Sequence, residues 1–388
     1  MEFDPNIAHQ YATSIARPRR VGSGENEKVA AEITDRLRSF GYQVDCEPFA
    51  FSIAPQLFLA LEILLGLMLI AAMFAPDNRA RIIPSILFIA FGLAANPINR
   101  AVRSRSVLSP AHQPRPLGKW HTTLSSTNIV ATLPDLSTDS PLPQIYLVAH
   151  YDSKSQWLPL ALRIILFVLA ITCGLIFATL NLFGADALFA NPFGFIAFIS
   201  ALPLLLLDVG NRSPGAIDNA SGVGLVLHLA ECLRAVPVDR PYNLTVLIPN
   251  AEEFSLMGSA AYVKLHARQL GREASRVHVL NFDGIGVDGD LRWIGRGSKL
   301  SDLIQQTCRD LNLKLSRFNI HGALYDHLSF ADHGLDAVSL IAIGPASRSI
   351  HTLQDSIDKL HVRGFDQAGR VALKVIENLT TDYTAVAD

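Results

Sequence analysis

Apolar runs of two lengths alternate along the chain. The four long ones cover residues 57–74, 82–98, 164–183 and 193–207. The first two are each about long enough to cross a ~30 Å hydrocarbon core, the second only marginally. Short polar links join them in pairs, so the pattern predicts two transmembrane hairpins, that is, four transmembrane helices. Pairs of buried core helices are the alternative, although those usually contain only about 10 to 14 consecutive apolar residues.

The short apolar runs are typical of buried strands. They cover residues 145–149, 244–248, 277–282 and 337–343. Residues 42–51 alternate between apolar and polar, and 128–133 is a further strand candidate. Val29, Ile33 and Leu37 are at helical spacing, and Gly41 stands where a helix C′ glycine belongs. Strands and helices in this mixture predict an α/β fold.

The hairpins divide the chain without separating its soluble parts. Each hairpin crosses twice, so the segments before, between and after them lie on one side of the membrane. We therefore expect one domain made of residues 1–53, 100–160 and 209–388, interrupted by hairpins at 54–99 and 161–208.

The positions of the arginines near the membrane spans predict on which side of the membrane this domain lies. The hairpin tips carry Arg79 and Arg81. The soluble flanks carry Arg100, Arg103, Arg105, Arg163 and Arg212. Since basic residues near span ends favour the cytoplasmic side, we expect a multi-pass membrane protein with a cytoplasmic domain.

Composition supports a membrane protein and excludes several other classes. Mean hydropathy is +0.27 and only 18% of the 388 residues are charged, which is too apolar for a purely soluble protein. A net charge of −2 gives no basic field for nucleic acid. The four cysteines lack CxxC spacing, and residues 1–5 do not resemble a cleavable signal peptide. Oligomeric state cannot be inferred from these features.

Acidic and histidine residues follow the predicted buried strands. They are His150 and Asp152, Glu252 and Glu253, Asp283, and His351. Asp218 lies instead in a Gly- and Asn-containing turn just before a helix pattern at 223–235. Ligand crevices of α/β sheets lie at the carboxyl ends of strands, so we expect these side chains to converge. Two histidines with several carboxylates form a nitrogen and oxygen ligand set suited to zinc or related divalent ions.

Each of these positions also has a purely structural interpretation. His150 and Asp152 form a common type of hydrogen-bonded pair, and Asp218 stands where a helix N-cap aspartate would. Glu252 and Glu253 can be a solvated loop pair. If buried instead, adjacent glutamates need a cation or a proton, because like charges raise one another's pKa.

Together, the motifs resemble a known family. His150-Tyr151-Asp152, the segment 215–222, Glu252-Glu253, Asp283 with Asp326-His327, and His351 resemble, in this order, the co-catalytic zinc exopeptidases. This is the family of bacterial leucine aminopeptidase, aminopeptidase Y and glutamate carboxypeptidase. The resemblance covers residues 7–51 and 125–375 apart from the second hairpin. It implies a three-layer αβα fold with a mixed, mostly parallel sheet.

The resemblance also implies a role for each residue. One Zn²⁺ would be held by His150, Asp218 and Asp283, and a second by Asp218, Glu253 and His351, so that Asp218 bridges two zinc ions. Asp152 would support catalysis by orienting His150. Glu252 would be the general base that takes a proton from the attacking water. The oxyanion-stabilising group stays open among His321, Tyr325 and His327.

The expected function is a membrane-bound zinc metallopeptidase, an aminopeptidase acting on peptide substrates. A carboxypeptidase would need a cationic clamp, for which Arg296, Arg317 and Arg348 are candidates. A glutaminyl-cyclase-like acyl transferase has the same fold but uses one metal. A non-catalytic membrane scaffold would be expected to have lost ligands, and none is lost. An intramembrane protease would need ligands within the apolar runs, and a transporter would depend on Glu62.

Overall fold

The computed structural model describes residues 2–75, 77–108, 123–133, 142–234, 242–318 and 323–387. The strands in these ranges are β1 (Gln43–Ser52), β2 (Val107–Leu108), β3 (Thr123–Thr132), β4 (Gln144–Val148), β5 (Asn243–Ile248), β6 (Val277–Phe282), β7 (Asp290–Gly295), β8 (Leu315–Arg317) and β9 (Asp336–Ile343). The helices are α1 (Pro5–Ile15), α2 (Gly24–Ser39), α3 (Ala54–Ala72), α4 (Asn78–Ser106), α5 (Leu160–Leu182), α6 (Ala187–Ala201), α7 (Gly222–Arg234), α8 (Met257–Leu265), α9 (Ala267–Arg272), α10 (Lys299–Asp310), α11 (His327–Ala331) and α12 (Val362–Ala387).

The strands form one mixed sheet in the order β2-β1-β3-β5-β4-β6-β9-β7-β8. Its four central strands, β5, β4, β6 and β9, are parallel. The strands β1, β2 and β3 on one flank pair in antiparallel fashion, and so do β7 and β9 on the other. This confirms the prediction of a mixed sheet, and it brings the carboxyl ends of the central strands to one edge.

Side-chain alternation along β4 explains why helices cover both faces of the sheet. Ile145 and Leu147 point into a core shared with α1, α2, α7, α10 and α12. Tyr146 and Val148 point into a second core shared with α8, α9 and α11. A strand that is apolar on both faces must be covered on both faces, which confirms the predicted three-layer αβα fold.

The predicted strands agree closely with the observed ones where the strand is buried. β6 has the predicted bounds, whereas β4, β5 and β9 each begin one residue before the predicted run. β3 begins at Thr123, five residues before its apolar part. The strands β2, β7 and β8 were not predicted, because two are only two or three residues long and β7 is only partly buried.

The two apolar hairpins pack together as a four-helix bundle. Helices α3 to α6 pack around a core that includes Ile70, Met73, Phe177 and Ala197. By length and composition, all four helices are able to cross a membrane. α4 extends from Asn78 to Ser106, well beyond the predicted run of 82–98, and contains Pro84 and Pro97. Its apolar stretch is therefore part of a longer helix that reaches the αβα domain.

Candidate active site

Adjacent strand ends deliver most of the site residues. β4 and β5 are parallel neighbours, as are β4 and β6, with Leu147 paired to Val246 on one side and Leu280 on the other. The residues that follow these strands are therefore brought to the same edge. They are His150 and Asp152 after β4, Glu252 and Glu253 after β5, and Asp283 after β6. The sequence prediction of convergence at this edge agrees with the geometry.

Two histidines define two clusters of possible ligands. The His150 group consists of His150, Glu252 and Asp283, and the His351 group of Asp218, Glu253 and His351. His150 Nε2 lies 3.7 Å from Asp283 Oδ2 and 3.9 Å from Glu252 Oε2. His351 Nε2 lies 3.2 Å from Glu253 Oε1.

Asp218 lies between the two groups. Its Oδ1 is 3.2 Å from His150 Nε2, and its Oδ2 is 2.8 Å from His351 Nε2. Each carboxylate oxygen thus faces a different histidine, which is the arrangement a bridging ligand requires. The N-cap interpretation fails, because the side chain of Asn219, and not of Asp218, accepts from Gly222 N at the start of α7 (3.0 Å).

The His150 group carries an excess of negative charge. Burial raises the pKa of Glu252 well above its usual value, and the Glu253 carboxylate adds to this effect. Burial and the carboxylate of Asp218 also raise the pKa of Asp283. Burial alone would lower the pKa of His150, but the surrounding carboxylates raise it well above its usual value. The solvated-loop interpretation of the glutamate pair is therefore excluded, since both side chains are buried.

The His351 group is compensated by cations of the protein itself. Lys154 Nζ lies 2.5 Å from Glu253 Oε2, so one oxygen of this carboxylate is occupied and the other faces His351. Burial opposes ionisation of Glu253, but Lys154 and His351 outweigh it and lower its pKa to about 2. Arg163 Nη2, from the first turn of α5, lies 2.7 Å from His351 Nδ1.

The donor atoms fit metal cations. Although the distances given above bring them close together, four buried atoms of the two groups make no hydrogen bond of normal geometry within the described ranges: His150 Nε2, Asp218 Oδ1, Glu253 Oε1 and His351 Nε2. Buried polar atoms without partners are costly, and these four face one another. A nitrogen and oxygen set of this kind suits zinc. The protein thus leaves unpaired the atoms that would coordinate metal.

Further contacts hold the ligand-bearing loops in place. Asp152 accepts hydrogen bonds from Glu252 N (3.1 Å) and Glu253 N (3.2 Å), and its Oδ1 lies 3.4 Å from His150 Nδ1. Asp355 accepts from Ile217 N at 2.6 Å and from Asp218 N at 3.3 Å. Both carboxylates therefore orient backbone next to candidate ligands.

Arg19 is a site-supporting residue that the sequence did not indicate. Its fully buried guanidinium donates to the carbonyl oxygens of Tyr151 (2.7 Å), Pro214 (2.6 Å) and Gly215 (2.9 Å). It thereby joins the loop that bears His150 to the loop that bears Asp218. The sequence did not indicate Lys154 as a site residue either, and it indicated Arg163 only as a basic residue that flanks a membrane span. Their partners are remote in sequence, and no local pattern indicates such pairs.

Two of the three candidate oxyanion groups can be placed. His327 Nδ1 lies 2.6 Å from Ser339 Oγ, and burial lowers the pKa of His327 to about 4, which keeps the ring neutral. Burial raises the pKa of Tyr325, as do the nearby carboxylates of Asp283 and Asp218. Its hydroxyl therefore stays protonated beside the site. His321 lies outside the described residues.

The fold and the two ligand groups together are those expected of a metallopeptidase. Residues 128–376 match the model of peptidase family M28, and the chain belongs to this family. The match confirms the family that the sequence motifs indicated, and with it the prediction of a metallopeptidase enzyme. Aminopeptidase YwaD of Bacillus subtilis (strain 168) is 28% identical over 167 residues, which are 40% of this chain and 36% of that protein. The matched region thus spans about a third of that relative's length.

Solved structures share the fold. The aminopeptidase from Aneurinibacillus sp. strain AM-1 has a TM-score of 0.58 and 16% identity, covering 96% of this chain and 93% of its own. A zinc aminopeptidase from Bacillus subtilis has a TM-score of 0.58 and 15% identity, covering 97% and 95%. The glutaminyl cyclase of Bacteroides thetaiotaomicron has a TM-score of 0.56 and 15% identity, covering 97% and 99%. At these identities the likeness shows the fold alone.

Proposed function

We propose that the chain is a membrane-bound zinc aminopeptidase that removes N-terminal residues from peptides. The observation that carries the proposal is the position of Asp218, whose two oxygens each face a different histidine. Two of the fold relatives are aminopeptidases, one of them described as a zinc enzyme. We assign His150, Asp218 and Asp283 to one zinc ion, and Asp218, Glu253 and His351 to the other.

Bound zinc would polarise the scissile carbonyl and make the attacking water more acidic. Glu252 then takes the proton of this water and returns it to the leaving amine. Its carboxylate is buried, and its raised pKa makes it a stronger base than an ordinary glutamate. The Tyr325 hydroxyl donates to the oxyanion, which requires the protonated form that its raised pKa maintains.

Asp152 acts through its neighbours. It accepts hydrogen bonds from the backbone N–H groups of Glu252 and Glu253, so it positions both the general base, Glu252, and a candidate metal ligand, Glu253. Its contact with His150 Nδ1 sets the orientation of that ring. In this proposal Asp152 is a positioning residue, because it touches no reacting atom.

We further propose that α3 to α6 span a bilayer as two hairpins, at 54–99 and 161–208. The remaining segments, 1–53, 100–160 and 209–388, then form one peptidase domain on one side. The length and apolar composition of the four helices support this. The excess of arginines on the flanks over the tips favours the cytoplasmic side.

The structure bears on the carboxypeptidase alternative. Of the three candidates, Arg296 lies 3.8 Å from Asp332 and Arg317 stacks over Trp293. Arg348, in the turn at 345–349, makes no hydrogen bond or ion pair with the ligand groups of the described residues. Arg163 and Lys154 do reach the site, but each contacts a candidate ligand. An aminopeptidase needs no further cation, and for this reason we prefer it.

A substrate panel with purified full-length protein in nanodiscs tests this function. It contains a leucyl peptide with a free amino terminus, an N-acetylated peptide with a free carboxyl terminus, and a peptide beginning with glutamine. Release of the N-terminal residue from the first, dependent on added zinc after chelation, supports the proposal. Exclusive cleavage of the second or exclusive cyclisation of the third would overturn it in favour of a carboxypeptidase or a cyclase.

A further inference from the structure

The first hairpin contacts loops that carry site residues. Gln56, in the first turn of α3, donates through Nε2 to Ser255 Oγ (3.3 Å), and Ser255 follows Glu253 by two residues. Arg103, near the end of α4, donates through Nη2 to Asp332 Oδ2 (3.0 Å). Asp332 directly follows the short helix α11, which begins just after Asp326.

The second hairpin contacts the site more directly. Arg163, in the first turn of α5, contacts the His351 ring. Gln156, which precedes the hairpin and contacts Arg163, donates through its backbone N to the carbonyl oxygen of His351 (2.8 Å). In the chain that leaves α6, the carbonyl oxygen of Leu206 accepts from Trp157 Nε1 (2.9 Å). Helices α3, α4 and α5, and the turn at Leu202–Leu206 that follows α6, thus each contact a segment that bears or adjoins site residues. The site lies directly against the end of the bundle.

The segments around the site expose large apolar side chains. In the described part of the chain outside residues 54–108 and 160–207, such side chains are Trp157, Leu265, Leu324, Leu353, Ile357 and Val362. Four of these lie near site residues, and we call Trp157, Leu324, Leu353 and Ile357 the apolar rim. Leu324 precedes Tyr325, whereas Leu353 and Ile357 each follow a site residue by two positions. Their exposure ranges from 40% to 59%.

The ligand groups are strongly charged, yet the side chains of the apolar rim near them are exposed. Exposed apolar residues that cluster at a site mark an interaction surface, and those scattered singly do not. Two parts of the rim are joined to the apolar segments: Trp157 through Leu206 O, and the loop that bears Leu353 through the contacts of Gln156 and Arg163 with His351. A bilayer surrounding α3 to α6 would therefore reach the rim. Tryptophan in particular is favoured at the membrane–water interface.

We propose that the apolar rim lies in the interfacial layer of the bilayer and that the substrates are membrane-anchored. This rests on the proposed aminopeptidase function and specifies its substrate class: peptides or aminoacyl amides with a free amino terminus and an apolar chain in the same leaflet. Such a molecule reaches the crevice by lateral diffusion, with its head group at the level of the zinc ligands. Confinement to the leaflet raises its local concentration at the site.

Two substrates with the same scissile bond test the substrate class. One is a leucyl amide of a short soluble amine, and the other a leucyl amide of a hexadecyl amine, presented at a fixed mole fraction in nanodiscs that hold the full-length protein. We expect kcat/KM to favour the anchored substrate by about tenfold or more. A ratio of one or below overturns the inference while leaving the peptidase proposal intact, whereas no hydrolysis of either substrate overturns the proposed function.

Rim substitutions test the surface itself. Leu353→Gln and Leu324→Gln are expected to lower the ratio of the two kcat/KM values about threefold to tenfold, because they weaken contact with lipid. Leu265→Gln is the matched control, since Leu265 is equally apolar and exposed but lies on a helix end without site residues. An equal fall in the ratio for Leu265→Gln would contradict a specific rim.

A measurement without turnover places Trp157 in the bilayer. Nanodiscs made with lipids brominated just below the head group quench tryptophan that lies in this layer. The measurement is made in a Trp120→Phe background, because Trp120 lies outside the described residues and would add its own signal. In this background we expect strong quenching, and loss of most of the quenched component when Trp157→Phe is added, since Trp293 is buried in the αβα domain. Unchanged quenching in Trp157→Phe would contradict the proposed position of the rim, whatever the activity of the enzyme.

Discussion

The two ligand groups are alike in composition but differ in how their charge is balanced. In the His351 group, Lys154 and Arg163 contact Glu253 and His351, and the pKa of Glu253 falls to about 2. In the His150 group, the pKa values of Glu252 and Asp283 are raised, mainly by burial. The protein thus neutralises one group itself and leaves the other to be balanced by protons or by metal. We therefore expect the charge balance of the His150 group to depend more strongly on bound metal than that of the His351 group.

The largest expected effect is on turnover. Glu252→Gln keeps the shape of the side chain but removes the base, so kcat should fall by about 10²-fold to 10⁴-fold. Zinc content should stay the same, because Glu252 binds no metal in the proposed mechanism. Steady-state kinetics and elemental analysis of the same preparation measure both quantities.

The matched control is Glu377→Gln, which changes an exposed glutamate whose side chain pairs with Lys374 on α12. It should leave both kcat and zinc content unchanged. If Glu252→Gln instead lost one zinc ion along with activity, Glu252 would be a ligand of the His150 group, and the assignment of Asp218 as the shared carboxylate would need revision.

A smaller effect is expected from Lys154, which balances the His351 group. Lys154→Met removes the donor that holds Glu253 Oε2, so zinc should bind this group about tenfold more weakly. Lys154→Gln keeps a donor and should recover most of this affinity. Competition with a chromogenic chelator measures the dissociation constants. Equal affinities in all three proteins would show that Lys154 does not position Glu253.

The smallest effect concerns stability of the protein after chelation. Burial raises the pKa of Asp326 to about 7, well above its ordinary value. Between pH ~4 and ~7 the folded protein therefore holds a proton that the unfolded chain releases. Stability should fall as pH rises through this window, by about 1 kcal/mol per pH unit from one such group.

Asp326→Asn tests this dependence, because it cannot release a proton. The apparent midpoint of thermal denaturation of the zinc-free protein should fall less steeply between pH 5 and pH 7 in this variant. Asp366→Asn, at an exposed position on α12, serves as the control and should keep the wild-type slope. Identical slopes in all three proteins would contradict a raised pKa for Asp326.

Buried strands and the residues just after them were predictable from the sequence. The apolar runs that form β4, β5 and β6 are bounded by polar residues, and parallel neighbours bring their ends to one edge. The sequence alone therefore predicts that His150, Glu253 and Asp283 lie close together. The fold followed from the same pattern and from the motif order.

The supporting cations could not be predicted in the same way. Arg19 lies in a basic stretch, Arg17-Pro18-Arg19-Arg20, that looks exposed, yet its guanidinium is fully buried against carbonyl groups more than a hundred residues away. Lys154 pairs with a glutamate that follows another strand. Such contacts depend on how loops fold over the sheet edge, and no periodicity in sequence encodes them.

If Asp218 is shared by two zinc ions, as we propose, the number of zinc ions bound should depend on its carboxylate. Elemental analysis of the full-length protein, purified with zinc and freed of loosely bound metal, should give about two ions per chain. Asp218→Asn should lose most of both, whereas Asp283→Asn should keep about one. One ion in the wild type, retained in Asp283→Asn, would contradict the account and indicate a single-metal enzyme built on the His351 group alone.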